Sequence, residues 1–195
     1  QHADAWPLGI VTDHLGNVYV LGTFMDSTVC SFDTFNIASA TLSMYYLVKY
    51  SPAGSVLWAK NIVGSDRDLA AGAIGVDGSG NTYVSGGFDQ PSVTIGGFPL
   101  TNTSLSGDTF DVFVAKYDAL GNVVWAKSFG GHRDDIASTM TVTKSGTIYL
   151  SGTFSSRSMT VGSTTLSNSY VRYGYMQSLT YFTKLDSNGS AVWAE

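Results

Sequence analysis

Apolar positions along the chain fall in short runs separated by Gly, Asp, Asn and Ser. Between residues 70 and 129, four runs read as strands: Ala70–Val76, Thr82–Phe88, Asp111–Tyr117 and Val123–Phe129. The last three are rich in Val, Tyr, Phe and Trp, which suit a pleated, half-buried surface. The first is carried by Ala and Gly and has the weakest strand pattern. Asp77-Gly78-Ser79-Gly80-Asn81 precedes the second run, and Asp118-Ala119-Leu120-Gly121-Asn122 precedes the fourth. An Asp at the first turn position accepts from the backbone two residues on, and Gly at the fourth takes a positive φ without steric cost. The pattern predicts a type I turn closing through a glycine bulge into a hairpin. Val123, Val124 and Trp125 are apolar in succession, so this strand needs cover on both faces. No segment keeps a 3.6-residue period over three turns, and no helix is predicted.

Compared with itself, the chain repeats. Gly16-Asn17-Val18-Tyr19-Val20 returns as Gly80-Asn81-Thr82-Tyr83-Val84 and as Gly146-Thr147-Ile148-Tyr149-Leu150, at offsets of 64 and 66. Gly22-Thr23-Phe24 returns at Gly86 and Gly152, and Val48-Lys49-Tyr50 at Ala115 and Thr183. Val56-Leu57-Trp58-Ala59-Lys60 returns at Val123 and Ala191. Four landmarks keep one phase through three copies. The expected fold is therefore all-β and β-propeller-like, with three four-stranded antiparallel blades of about 65 residues. The blades run approximately over 1–64, 65–131 and 132–195 of one repeat region. Extra length falls between the second and third strands, and two of those segments share a strand-like pattern, Val93-Thr94-Ile95-Gly96 and Met159-Thr160-Val161-Gly162. Three blades are fewer than the roughly four that close a propeller, so part of a larger or oligomeric propeller is expected. Gln1 in place of an initiator methionine, and Trp193-Ala194-Glu195 inside a strand pattern, fit the expectation of a longer array.

Asp111 to Asp118, Gly121 to Lys127 and Gly130-Gly131, with Asp134 to Val142 and Gly80 to Gly86, resemble the SBBP-type beta-propeller repeat of large secreted bacterial proteins. The resemblance covers essentially the whole chain. It implies a blade-built extracellular or cell-surface protein, and it brings no catalytic residues with it.

Net charge is −5, which argues against a nucleic-acid backbone as partner. The single Cys30 leaves no intrachain disulfide and no multi-cysteine zinc site. No apolar stretch of about twenty residues predicts membrane insertion. Charged residues make up 13 %, while Ser and Thr supply roughly a quarter of the chain, so the loops are polar but largely uncharged.

Recurring aromatic residues form the expected blade core: Tyr19, Phe24 and Trp58, then Tyr83, Phe88 and Trp125, then Tyr149, Phe154 and Trp193. The tryptophans are expected to pack between blades. Lys49, Lys116 and Lys184, like Asp118 and Asp186, are expected in inter-blade or turn contacts. Asp66 and Asp68, and Asp134 and Asp135, lie in connections between blades. Paired carboxylates there suit Ca²⁺, the one cofactor considered. They lack the dense Asp-x-Asp-x-Asp-Gly run of a calcium loop, so capping and an Arg–Asp pair are preferred. His2, His14 and His132 are scattered, and no nucleophile or metalloprotease motif occurs.

The third copy departs from the pattern at Tyr170, Arg172, Tyr173 and Tyr175. Tyr and Arg are enriched at recognition surfaces, which makes this segment the candidate ligand or partner site. Asn102-Thr103-Ser104 and Asn188-Gly189-Ser190 match the glycosylation sequon, and Asp26-Ser27-Thr28 resembles a bacterial O-glycosylation motif. The expected function is non-catalytic: an extracellular or cell-surface module for adhesion, protein interaction or assembly. Its partner would be a protein neighbour or further blades. A carbohydrate-binding propeller is the second reading, and a glycan-active hydrolase the third.

Overall fold

The structure is a computed structural model, and it describes residues 4–25, 29–39, 41–65, 72–104, 109–172 and 175–195. The first blade contains β1 (Asp4–Thr12), β2 (Val18–Met25), β5 (Ser43–Tyr50) and β6 (Val56–Ser65), with the hairpin β3 (Val29–Phe32) and β4 (Phe35–Ala38) inserted. The second contains β7 (Gly72–Val76), β8 (Thr82–Phe88), β11 (Asp111–Tyr117) and β12 (Val123–Phe129), with β9 (Ser92–Ile95) and β10 (Phe98–Thr101) inserted. The third contains β13 (Asp135–Val142), β14 (Ile148–Phe154), β19 (Leu179–Leu185) and β20 (Ala191–Ala194). Its insert is longer, with β15 (Ser158–Val161), β16 (Thr164–Ser167), β17 (Val171–Arg172) and β18 (Tyr175–Met176). The blade sheets have the orders β1-β2-β5-β6, β7-β8-β11-β12 and β13-β14-β19-β20, antiparallel throughout.

The inserted hairpins occur in all three copies, including Val29–Phe32 with Phe35–Ala38, where no strand was expected. Their two-residue turns place Asp33, Gly96, Gly97 and Gly162 at positive φ, as tight hairpins require. In each hairpin one alternating set turns inward: Cys30 and Ile37, Ile95 and Leu100, Met159 and Val161 are buried.

The blades face one another through two apolar cores. One joins Tyr19, Leu21, Leu47 and Trp58 of blade one to Val84, Phe88, Ala115 and Tyr117 of blade two. The other joins Tyr83, Val112, Val114 and Trp125 of blade two to Leu150, Phe154, Tyr181 and Leu185 of blade three. Among the first strands, β7 lies against both β1 and β13. This explains why β7 is poor in large side chains. A Cβ at Gly9 would sit 2.8 Å from Ile74 Cγ2, and a Cβ at Gly75 would collide with Val142. Small residues let the blades converge on this side.

Candidate interaction site

The blade–blade joint starts from the turn before each second strand. Asp77 Oδ1 accepts from the N–H groups of Ser79 and Asn81, at 2.9 and 3.0 Å. Its Oδ2 accepts from Asn81 Nδ2 and from the Tyr83 hydroxyl, at 2.8 and 3.0 Å. Asp13 repeats this with Leu15, Asn17 and Tyr19. Burial acts to raise both carboxyls, but the hydrogen bonds outweigh it and hold them below the ordinary carboxylate range. Both tyrosines are fully buried. The Tyr19 hydroxyl lies 3.2 Å from the Gly80 carbonyl oxygen of the next blade, within donating distance. In copy three Thr143 stands in place of the Asp and accepts from Thr147 N–H at 3.0 Å.

Opposite the tyrosine, the outer strands supply a tryptophan and a lysine. Trp58 Nε1 donates to Ala119 O at 3.3 Å, and Lys49 Nζ donates to the same oxygen at 3.0 Å. Trp125 Nε1 and Lys116 Nζ donate likewise to Ser187 O, at 3.1 and 3.5 Å. The acceptor is in each case the residue after the first position of the next blade's last turn. The indole faces the positive-φ glycine of that same turn. A Cβ at Gly121 would lie 3.0 Å from the Trp58 ring, and one at Gly189 would lie 2.8 Å from the Trp125 ring. Lys49 and Lys116 also lie over the Tyr19 and Tyr83 rings, at 4.9 and 5.1 Å.

Blade three carries the same set on its outward face. Tyr149, Trp193 and Lys184 occupy the equivalent positions, with Lys184 Nζ 5.7 Å from the Tyr149 ring centre. Phe182 joins them, 5.1 Å from Trp193 and stacked 6.2 Å from Tyr149. Here the side chains are partly open. Phe182 is 39 % exposed, whereas Leu47 and Val114 at the same register are fully buried. Tyr149 and Trp193 are half-buried. Phe24, Phe88 and Phe154 are buried, at 0, 0 and 3 % exposure, the last two in the cores between blades.

Asp135 turns inward. Its Oδ2 accepts from Gly131 N–H at 2.6 Å and Ser156 Oγ at 2.8 Å, and its Oδ1 from the Ser155 and Ser156 N–H groups. Burial pushes its carboxyl up to about 6, against the Ser156 and Gly131 hydrogen bonds and with the Asp111 charge adding to the rise. Burial also raises Asp111, which accepts from the Thr103 N–H and hydroxyl. Asp134 accepts from Phe110 N–H at 3.0 Å. These bonds tie the second blade to the connection entering the third, so Asp134 and Asp135 act as caps. Among the described residues no cluster of three metal-ligating side chains forms. Asp66 and Asp68 lie outside the described residues. Asp111 was not foreseen, because it opens a strand and has no counterpart in the other copies: Met44 and Leu179 hold its register.

Asn102, expected as a sequon, is fully buried. Its amide donates to Phe88 O and Thr109 O at 3.1 and 2.8 Å, so the folded chain offers no acceptor nitrogen there. Asn168 does the same in blade three, donating to Gln177 O at 2.7 Å. Beyond it, Tyr170 and Val171 are about half exposed, at 52 and 51 %. Arg172 is also exposed and pairs in register with Tyr175 in the short β17–β18 hairpin. Tyr173 and the side chain of Tyr175 lie outside the described residues.

No family model matches the chain. Two curated proteins are similar to it. An uncharacterised WD repeat-containing protein of Acanthamoeba polyphaga mimivirus is 29% identical over 136 residues, 63% of this chain and 10% of that protein. A regulatory protein, FlaEY, of Caulobacter vibrioides is 29% identical over 143 residues, 73% of this chain and 15% of that protein. The chain spans only a small part of either relative's length. The likeness to a WD repeat protein agrees with the three four-stranded sheets: the chain is an all-β repeat protein with propeller-like blades.

Proposed function

We propose that the chain is a non-catalytic protein-interaction module, a rigid stack of blades displaying a recognition hairpin on the third. The observation that carries this reading is β17–β18. There, among the described residues, the insert of blade three leaves the repeat pattern and exposes Tyr170, Val171 and Arg172. Exposed aromatic and Arg side chains on a braced loop suit a protein surface. The similarity to a WD repeat protein and to a regulatory protein supports an interaction role over a catalytic one. The finer placement, an extracellular or cell-surface module for adhesion or assembly, rests on the SBBP-type resemblance around Asp111 to Asp118 and on the weakly charged loops.

The test is quantitative binding to proteins captured by crosslinking from the native host surface. Tyr170→Ser combined with Arg172→Ser is expected to weaken saturable binding at least about tenfold. Unchanged binding rejects the hairpin as the recognition element. A reproducible sugar preference on a glycan array, lost in the same variant, replaces this reading with the carbohydrate-binding one.

A further inference from the structure

Two of the chain's four arginines meet at one cavity. His132 and Arg133 come from the connection that enters blade three, and Arg157 and Ser158 from the start of its insert. Together they line a cavity of about 350 Å³, within the range of about 300–1,000 Å³ found for small-molecule sites. Among the described residues no Asp or Glu lines it. The two carboxyls next in sequence are turned away. Asp134 accepts from Phe110 N–H, and Asp135 is fully buried on Gly131 and Ser156. Neither guanidinium makes an ion pair or a hydrogen bond with a described residue.

The backbone that carries the two arginines is held in place. Ser156 Oγ lies 2.8 Å from Asp135 Oδ2 and accepts from Arg133 N–H at 2.9 Å, one residue before Arg157. The Arg157 carbonyl accepts from Asn168 N–H at 2.8 Å, and Ser158 pairs in register with Ser167. A Cβ at Gly131 would collide with the Ser158 carbonyl, so the connection lies directly on the insert. The repeat supplies an internal comparison. Pro91 holds the Arg157 position in blade two, its carbonyl accepting from Asn102 N–H. In the sequence, Gly64-Ser65-Asp66-Arg67-Asp68 corresponds to Gly130-Gly131-His132-Arg133-Asp134. Around a shared arginine, copy three thus exchanges an acid and a proline for a histidine and a second arginine.

We infer that this cavity binds a tetrahedral oxyanion, the phosphate or sulfate group of a small monoester. A guanidinium offers a planar fork of N–H donors that pairs two oxygens of such a group. Forks from Arg133 and Arg157, on separate segments, match three or four oxygens better than the two of a carboxylate. The His132 imidazole and the Ser158 hydroxyl add donors. The volume is on the order of ten waters at about 30 Å³ each, which leaves room for the alcohol part of the ester beside the anion.

The experiment is an amide NMR titration of the full 195-residue chain at constant ionic strength. The probes are sodium phosphate, sodium sulfate, ethyl phosphate and ethyl sulfate, with acetate for comparison. Saturable shifts are expected at Arg133 and at residues 156–158, with the esters binding more tightly than the inorganic ions. Arg133→Gln and Arg157→Gln are each expected to weaken binding at least about tenfold. Both side chains are exposed, so an unchanged melting curve is expected to show the fold retained. Lys144→Gln removes the same charge beyond the far end of β13 and is expected to leave binding unchanged. Inorganic ions that bind as tightly as their esters support the oxyanion site and identify the free ion as the source. No saturable shift with any of the four oxyanions overturns the proposal. Acetate binding equally well, or Lys144→Gln weakening binding as much as Arg157→Gln, also overturns it. Neither result bears on Tyr170 and Arg172, which are tested by separate variants.

Discussion

Trp125 and Ser187 stand 62 residues apart in sequence, yet the indole N–H of one donates to the carbonyl oxygen of the other at 3.1 Å. The bond links the outer strand of blade two to the last turn of blade three. Removing the ring in Trp125→Ala leaves a cavity between blades and takes the closer of two donors from the Ser187 carbonyl. The expected cost is about 3–5 kcal/mol. Trp125→Phe keeps most of the packing and loses the hydrogen bond, for about 1 kcal/mol beyond the change in volume. Urea denaturation of the two variants separates these contributions. Equal losses in both would refute the packing role.

The glycine under that ring makes a second prediction. Gly189→Ala introduces a Cβ at 2.8 Å from the Trp125 ring, as well as a strained positive φ of 71°. Gly54→Ala carries only the backbone strain, about 1–2 kcal/mol, because no atom lies within 4 Å. The Gly189 variant is expected to be less stable than the Gly54 variant by about 1–3 kcal/mol. Thermal melts of the pair decide it.

Asp77 is an acid held ionised by its own turn. Its folded-state carboxyl is depressed, because the hydrogen bonds from Asn81, Ser79 and Tyr83 overcome burial. The stability it contributes is present above the ordinary carboxylate range and is lost as pH falls through the folded value. Asp77→Ala leaves the Ser79 and Asn81 N–H groups and the buried Tyr83 hydroxyl without their acceptor. A loss of about 2–3 kcal/mol at pH 7 is expected, shrinking in acid. A loss of the same size at pH 3 would contradict the ionised form.

Asp135 has the opposite sign. Burial raises its carboxyl to about 6, with Asp111 adding to the rise. Across roughly pH 4 to 6 the folded chain therefore holds more of this proton than the unfolded chain, and the Asp135 contribution falls as pH rises. Asp111, Asp134, His132 and Arg133 share the junction and are present in both proteins compared. The stability difference between wild type and Asp135→Asn is expected to drop by about 2–3 kcal/mol over that window. A flat difference would mean that Asp135 is ionised throughout.

Much of the blade plan was legible in the sequence, for a physical reason. Every blade solves the same packing problem, so Tyr19, Tyr83 and Tyr149, like the three tryptophans, return in phase. What repetition cannot reveal is how deeply each copy's side chains are buried. Trp193 reads like Trp58, and only the structure, in which Trp193, Tyr149 and Phe182 are all partly open, distinguishes the two settings. The first inserted hairpin was missed because Val29-Cys30-Ser31-Phe32 carries no glycine turn; Asp33 takes the positive φ instead. Asp135 was expected as a cap or an Arg partner in a connection between blades; its burial was not legible, because its partners, Gly131 and Ser156, are backbone and hydroxyl groups with no motif of their own.

The buried amides of Asn102 and Asn168 carry one more consequence. Each reaches across the neck of its insert to a carbonyl two residues ahead of the returning strand, seven residues on in one blade and nine in the other. The neck is pinned while the number of residues beyond it varies. Doubling a flexible loop costs only about 0.6 kcal/mol in closure entropy. Length and composition can therefore drift above the pin without a slip in strand register below it. In blade three that freedom has already produced β17–β18, and the same neck in blade two is where a foreign peptide can be grafted with the sheet left intact.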